Sequence, residues 1–231
     1  MSERRARADA ELEALDDSLR RRFRAVQTAV DVGTRTLSIL HPASAEDLID
    51  ERDFERDERL PYWAELWPSA RILAALVLEM SGDGRSLLEL GCGSGLVATS
   101  AALAGFNVVA SDYYEDAARF ARVNAWRNGG PSIRGMMLDW RALPPDLPTF
   151  DVVIASDVLY ERPYGGLVAA VIAKALAPNG MAVLADPGRV GREAFLDALP
   201  TNGLVLRSRR TVPFVEGTIR QQIVVFEIVH Q

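Results

Sequence analysis

Apolar residues recur at Leu12, Leu15, Leu19, Phe23, Val26 and Val30 within a segment otherwise rich in charge. Steps of three and four gather them on one stripe, which predicts an amphipathic helix over residues 4–30, ended by Gly33. Its other faces carry Arg, Glu and Asp, including Arg20-Arg21-Arg22. The stretch therefore reads as a helix packed on its own domain with a solvated charged face, or as an arm for a substrate or partner. Thr36 to Leu40 predicts a short strand, stopped by His41-Pro42, and residues 45–59 predict an acidic loop with one helical turn. Ile72, Leu73, Leu76, Val77 and Met80 form one apolar face on a helix that opens at Pro68, a residue suited to the first helical position.

Beyond residue 85 the pattern changes to short apolar runs alternating with helical periods. Strands are predicted at Ser86–Leu90, Asn107–Ser111, Ser132–Leu138, Phe150–Ser156 and Met181–Ala185. Helices are predicted at Leu96–Leu103, Glu115–Arg127, Leu167–Leu176 and Glu193–Leu199. Two last strands, Gly203–Arg210 and Gln221–Val229, are joined through Pro213 to Gly217. Such alternation predicts an α/β fold, a mostly parallel sheet with helices on both faces. Phe150–Ser156 is nearly continuous in apolar residues, as befits a central strand covered on both sides.

Length and composition narrow the class. At 231 residues with 48% hydrophobic positions, the chain can bury one substantial core and suits a single domain, with residues 1–60 as an N-terminal helical arm and strand and 61–231 as the α/β core. A net charge of −6 argues against a general nucleic-acid binder. No apolar run is long enough for a transmembrane helix, and Met1-Ser2-Glu3-Arg4-Arg5 leads into charge without an apolar signal core. The one cysteine, Cys92, rules out a disulfide framework within the chain. The expectation is a soluble cytoplasmic protein with no membrane or nucleic-acid partner, a monomer or weak homodimer. Of its 26 basic residues only Lys174 is a lysine.

Candidate chemistry centres on Glu89-Leu90-Gly91-Cys92-Gly93-Ser94-Gly95, a buried strand that stops in a glycine turn and restarts as a helix. Glycine accepts positive φ and lets the backbone approach a ligand, while the following helix aims free N–H groups into the turn. A dinucleotide site wants G-x-G-x-x-G; here the third glycine comes one residue early, which leaves NAD(P) a weaker rival. Acids close four successive strands or precede their turns: Glu89, Asp112, Asp139 and Asp157. Asp112 lies about twenty residues past the turn, where nucleotide-binding α/β folds place a carboxylate on ribose hydroxyls. The plainer readings are a turn-starting Asp139 and a helix-capping Asp157. One cysteine and two distant histidines, His41 and His230, make no metal cluster, and neither G-x-S-x-G nor a P-loop occurs.

The E-x-G-x-G-x-G run resembles motif I of the class I, seven-stranded S-adenosylmethionine (SAM) methyltransferases, and the resemblance extends over roughly residues 60 to 229. Asp157-Val158-Leu159-Tyr160 is similar to the D-x-x-Y that marks their lysine-methyltransferase group. Pro61-Tyr62-Trp63-Ala64-Glu65-Leu66-Trp67-Pro68 and Asp186-Pro187-Gly188-Arg189 look most like the branch that methylates the β-subunit of electron-transfer flavoprotein, whereas Leu138-Asp139-Trp140 looks more like other branches. The resemblance implies a closing antiparallel hairpin at the sheet edge and SAM as cofactor, with S-adenosylhomocysteine as product. It implies that Glu89 faces the cofactor's amino group and that Gly91, Cys92, Gly93, Ser94 and Gly95 let the methionine tail pass. Asp112 would hold the ribose, with Tyr113, Asp139 and Trp140 at the adenine and Trp63, Trp67 and Ser156 in the pocket wall. Asp157 and Tyr160 would act on the acceptor. A lysine of a protein substrate is the leading acceptor. The alternatives are a small-molecule N-methyltransferase of the nicotinamide type, a NAD(P)-dependent oxidoreductase and a non-catalytic SAM-binding protein.

Overall fold

A computed structural model describes residues 2–48 and 61–231. Helix α1 (Ser2–Phe23) leads into a hairpin of β1 (Val26–Val32) and β2 (Arg35–His41), and α2 (Pro68–Leu78) follows. The remainder alternates: β3 (Ser86–Leu90), α3 (Leu96–Leu103), β4 (Asn107–Asp112), α4 (Glu115–Arg127), β5 (Arg134–Met137), β6 (Phe150–Ser156), α5 (Arg162–Ala175), β7 (Leu176–Asp186), α6 (Arg192–Thr201), β8 (Leu204–Glu216) and β9 (Ile219–His230). Seven strands form one sheet in the order β5-β4-β3-β6-β7-β9-β8. The pairs from β5 to β7 are parallel, and β9 and β8 close the edge antiparallel. Among the described residues no helix is long and apolar enough to cross a membrane.

The strand pleat sorts the core into two layers. Leu87, Val152 and Ile154 face α2, α3 and α4, while Leu88, Leu90, Val153 and Ala155 face α5 and α6. Lys174 on α5 donates to the Pro144 carbonyl at 2.7 Å and ties that layer to the loop before β6. Strand order reverses between β3 and β6, so their carboxyl ends diverge and leave a crevice.

The expected helix over residues 4–30 stops early. Leu12 and Leu19 are buried on α1, but the chain turns at Arg24 (φ 45) and Val26 begins a strand. Val26 and Val30 sit four apart, so they fit a helical stripe; with Thr28 and Val32 they equally fit a two-residue period, and three of these four residues are valine. Tertiary pairing with β2 decides in favour of the strand, and the N-terminal segment is a helix plus a hairpin. Gly33 (φ 58) is the first residue of that hairpin's two-residue turn, not a helix stop. Other boundaries shift modestly: β5 is shorter than 132–138, α5 begins at Arg162, and β7 reaches back to Leu176 through an irregularity beside Phe150. Of the acidic stretch at 45–59, Glu46–Leu48 is a single 3-10 turn, and residues 49–60 lie outside the described residues.

Candidate active site

The carboxyl ends of β3, β4, β5 and β6 and the segment Tyr62–Ala70 enclose one cleft of about 1090 Å³, open solvent at its mouth included. Of the residues expected at the site, Trp63, Trp67, Gly91, Cys92, Gly93, Ser94, Gly95, Asp112, Tyr113, Asp139, Trp140, Ser156, Asp157 and Tyr160 all line it.

The glycine turn brings its backbone to the cleft. Gly91, Gly93 and Gly95 have φ of 65, 50 and 82. A Cβ on Gly91 would lie 2.9 Å from Val158 Cγ1, and one on Gly93 would lie 3.0 Å from the Trp63 carbonyl oxygen. Asp112 braces the turn from β4: its Oδ2 accepts from the Gly93 N–H at 3.0 Å and its Oδ1 from the Tyr114 N–H at 3.0 Å. Burial pushes the Asp112 carboxyl up to about 6, against the lowering effect of the Tyr114, Gly93 and Tyr113 backbone N–H groups. The carboxylate, with three backbone donors on about four acceptor sites, keeps capacity for a further donor in the cleft.

Glu89 lies beneath the glycine turn and is not among the residues that line the cleft. The pleat of β3 puts it in phase with Leu87, on the α3 side of the sheet, and it is 1% exposed and absent from the lining. Its carboxyl meets the backbone of Ala98 in the first turn of α3, one oxygen has no protein partner, and burial raises its pKa well above the usual carboxylate range. The residue therefore caps α3 from beneath the turn.

At the other end, Asp139 accepts from the Arg141 guanidinium at 3.0 Å, and that guanidinium also lies over the Tyr113 ring, 5.6 Å from its centroid. Trp140 and Tyr164 meet edge to face, Tyr164 meets Tyr160 at 4.9 Å, Tyr160 meets Tyr62 at 5.3 Å, and Tyr62 meets Trp67 at 6.1 Å. One aromatic wall thus runs from the end of β5 to the start of α2. Burial and the Tyr164 hydroxyl hold the Tyr160 phenol far above its ordinary range.

Asp157 sits just past β6 with φ 60, a left-handed conformation that aspartate tolerates better than most residues and that often marks a functional position. Its N–H donates to Ala185 at 3.0 Å, which extends the β6–β7 pairing by one step. The carboxylate already has partners: Oδ1 accepts from Arg189 Nε at 2.5 Å and Oδ2 from Ser69 Oγ at 3.0 Å. Burial raises its pKa and the Arg189 ion pair opposes the rise. Arg189 is in turn held by Asp186, which accepts from its N–H, and its guanidinium stacks 5.1 Å from the Trp67 ring centroid. Sequence reasoning did not connect Ser69 and Arg189 to Asp157, or Tyr62 and Tyr164 to Tyr160. The Asp186-Pro187-Gly188-Arg189 run was the available signal, since β7 lies beside β6 and brings its end to Asp157.

Comparison with known proteins agrees with this geometry. A methyltransferase-domain family matches residues 62–214. Among characterised relatives, a protein-lysine N-methyltransferase of Schizosaccharomyces pombe is 33% identical over 139 residues, 53% of this chain and 46% of that protein. The electron transfer flavoprotein beta subunit lysine methyltransferase of Danio rerio is 31% identical over 137 residues, 56% of this chain and 51% of that protein. The alignments thus span about half the length of these relatives. Among solved structures, the magnesium protoporphyrin IX methyltransferase of Synechocystis with bound SAM superposes with a TM-score of 0.58 at 20% identity, covering 80% of this chain and 94% of that one. It shares the class I methyltransferase fold.

Proposed function

The chain belongs to the methyltransferase-domain family, and from that premise we propose that it moves a methyl group from SAM to the side-chain amine of a lysine in a protein substrate. The observation that carries this reading is the placement of Asp157 and Tyr160, the D-x-x-Y pair, in the same cleft as Asp112 and the glycine turn. Similarity to lysine methyltransferases of yeast and fish supports the acceptor class.

The residues present fit the cofactor. The turn presents backbone where a methionine tail would pass, the Asp112 carboxylate keeps acceptor capacity for a ribose hydroxyl, and Tyr113, Asp139 and Trp140 offer an aromatic and polar seat for adenine. When bound, SAM supplies an electrophilic methyl group on sulfur and leaves as S-adenosylhomocysteine. The protein's task is to hold a neutral amine in line and keep water away. A lysine amine is mostly protonated near neutral pH, its pKa being about 10.4. The amine loses its proton to solvent or a base before attack, and the Tyr160–Tyr62–Trp67 wall lines its approach. Arg189 balances the Asp157 charge, so Asp157 orients the amine by accepting a hydrogen bond instead of serving as a strong base.

The test is transfer of a labelled methyl group from SAM in lysate of the source organism, read by mass spectrometry. Label on a protein lysine, lost with Asp157→Ala, is the expected result. Label confined to the low-mass fraction would make the chain a small-molecule N-methyltransferase. Binding of S-adenosylhomocysteine without any transfer would make it a non-catalytic SAM-binding protein.

A further inference from the structure

Helix α4 presses directly on the glycine turn: a Cβ on Gly95 would come 2.3 Å from the Ala121 Cα. One turn along the same face stands Asn124, fully buried. Its Nδ2 donates to the Ser94 carbonyl at 2.8 Å and to the Leu40 carbonyl at 2.7 Å, and its Oδ1 accepts from the Leu40 N–H at 2.7 Å. A turn further on, Asn128 accepts from the Ser38 N–H at 2.9 Å and donates to the Ser38 carbonyl at 3.0 Å. Ser38 and Leu40 are two apart, so their backbone groups share the edge of β2 that β1 leaves unpaired. The two asparagines stand in for a third strand there. Of the two, Asn124 also reaches the turn: one amide proton goes to Ser94, and the other with the side-chain oxygen goes to Leu40. Aspartate has no donor, and an apolar residue would strand three buried backbone groups.

A second link runs beside the first. Ser94 Oγ donates to the Trp63 carbonyl at 3.4 Å, and the Trp63 ring packs against Phe120 of α4 and Phe23 of α1. The glycine turn is therefore fastened to the N-terminal segment by hydrogen bonds on one side and by an aromatic cluster on the other.

We propose that Asn124 is a positioning residue of the cofactor site, and that through it the β1–β2 hairpin is a working part of that site, fixing the Ser94 carbonyl and with it the orientation of Gly93 and Gly95. The inference rests on the SAM reading above. By reciprocity, whatever the hairpin does for the turn, a ligand in the turn does for the hairpin.

Hydrogen exchange and calorimetry with S-adenosylhomocysteine test it. In the wild-type chain, saturating ligand should slow exchange of the Leu40 amide, which lies outside the cleft; this arm needs no variant, and an unchanged Leu40 rate overturns the proposal. Asn124→Ala should speed exchange across Cys92–Gly95 in the ligand-free protein while β6 and β7 keep their protection, and should weaken ligand binding ~10-fold or more. Asn128→Ala removes the Ser38 anchor but keeps the Leu40–Asn124–Ser94 link through which the hairpin acts on the turn, and should leave affinity within ~2-fold. Equal losses for the two variants would reduce Asn124 to a hairpin anchor and overturn the proposal. A wild-type chain that binds no ligand overturns the SAM reading and this inference together; binding that Asn124→Ala leaves intact overturns this inference alone.

Discussion

The two ends of the cleft are held in different ways. At the β3–β4 end, backbone does the holding: Asp112 accepts from main-chain N–H groups, and glycines with positive φ leave no side chain free to swing. At the β6 end, side chains do it: Asp157 is fixed by Ser69 and Arg189, and Tyr160 by the edges of Tyr62 and Tyr164. Backbone hydrogen bonds fix atoms to a fraction of an ångström at small entropic cost. Ion pairs and ring edges can exchange partners. The first arrangement suits one invariant ligand and the second an acceptor that arrives, reacts and leaves as something larger.

Five measurements test that contrast. Gly93→Val puts a branched side chain at φ 50 and 3.0 Å from the Trp63 carbonyl, so calorimetry should find no SAM binding in the folded variant. Wild-type-like affinity would remove the turn from the site. Asp157→Ala should lower turnover per folded molecule by ~10²-fold, the scale of a lost positioning contact, and leave SAM affinity within about twofold. Equal losses in both would mean that the two ends are one unit. Asp112→Ala should weaken SAM by about 1.5–3 kcal/mol, the range for hydrogen bonds to a charged group. Asp112 carries its own pH signature. With its pKa raised to about 6, it is ionised at pH 7 and gains a proton as pH falls, so SAM binding should weaken by ~10-fold by pH 5 and this dependence should vanish in Asp112→Asn. A flat profile in the wild-type chain would place the ribose elsewhere. Smallest is Tyr160→Phe, which removes the hydroxyl contact with Tyr164 and keeps the ring wall; kcat should fall about fivefold, near the ~1 kcal/mol of one hydrogen bond, and Tyr160→Ala should fall further.

Legibility in the sequence followed the same divide. The backbone-held end was readable because its signals are local: an apolar run, three spaced glycines, and an acid one strand later. Glu89 is the instructive exception. The motif I resemblance implied a ligand contact; what no local signal gave is the pleat of β3, which sets Glu89 on the face that carries Leu87 and α3, beneath the turn. The side-chain-held end was readable only in part. Asp157 and Tyr160 lie three apart and announce themselves, but Arg189 is 32 residues from Asp157 and meets it only because β7 pairs with β6. In the N-terminal segment, Val26 and Val30 satisfied two periods at once, and only the partner strand resolves them. Asn124 gave no signal at all, since a buried asparagine on an amphipathic helix looks the same as an exposed one until its three partners are in view.

Lys174 and its bond to the Pro144 carbonyl bear on the practicality of the transfer assay. It is the only lysine among 231 residues. On the lysine reading proposed above, methylation of the enzyme's own lysines is the background that would obscure weak substrates. Here self-labelling of side chains has one available address, and its nitrogen is already spoken for. A lysate tracer experiment with this chain should therefore have an almost blank band at the enzyme's own mass, so even a scarce labelled protein elsewhere on the gel can be read without correction.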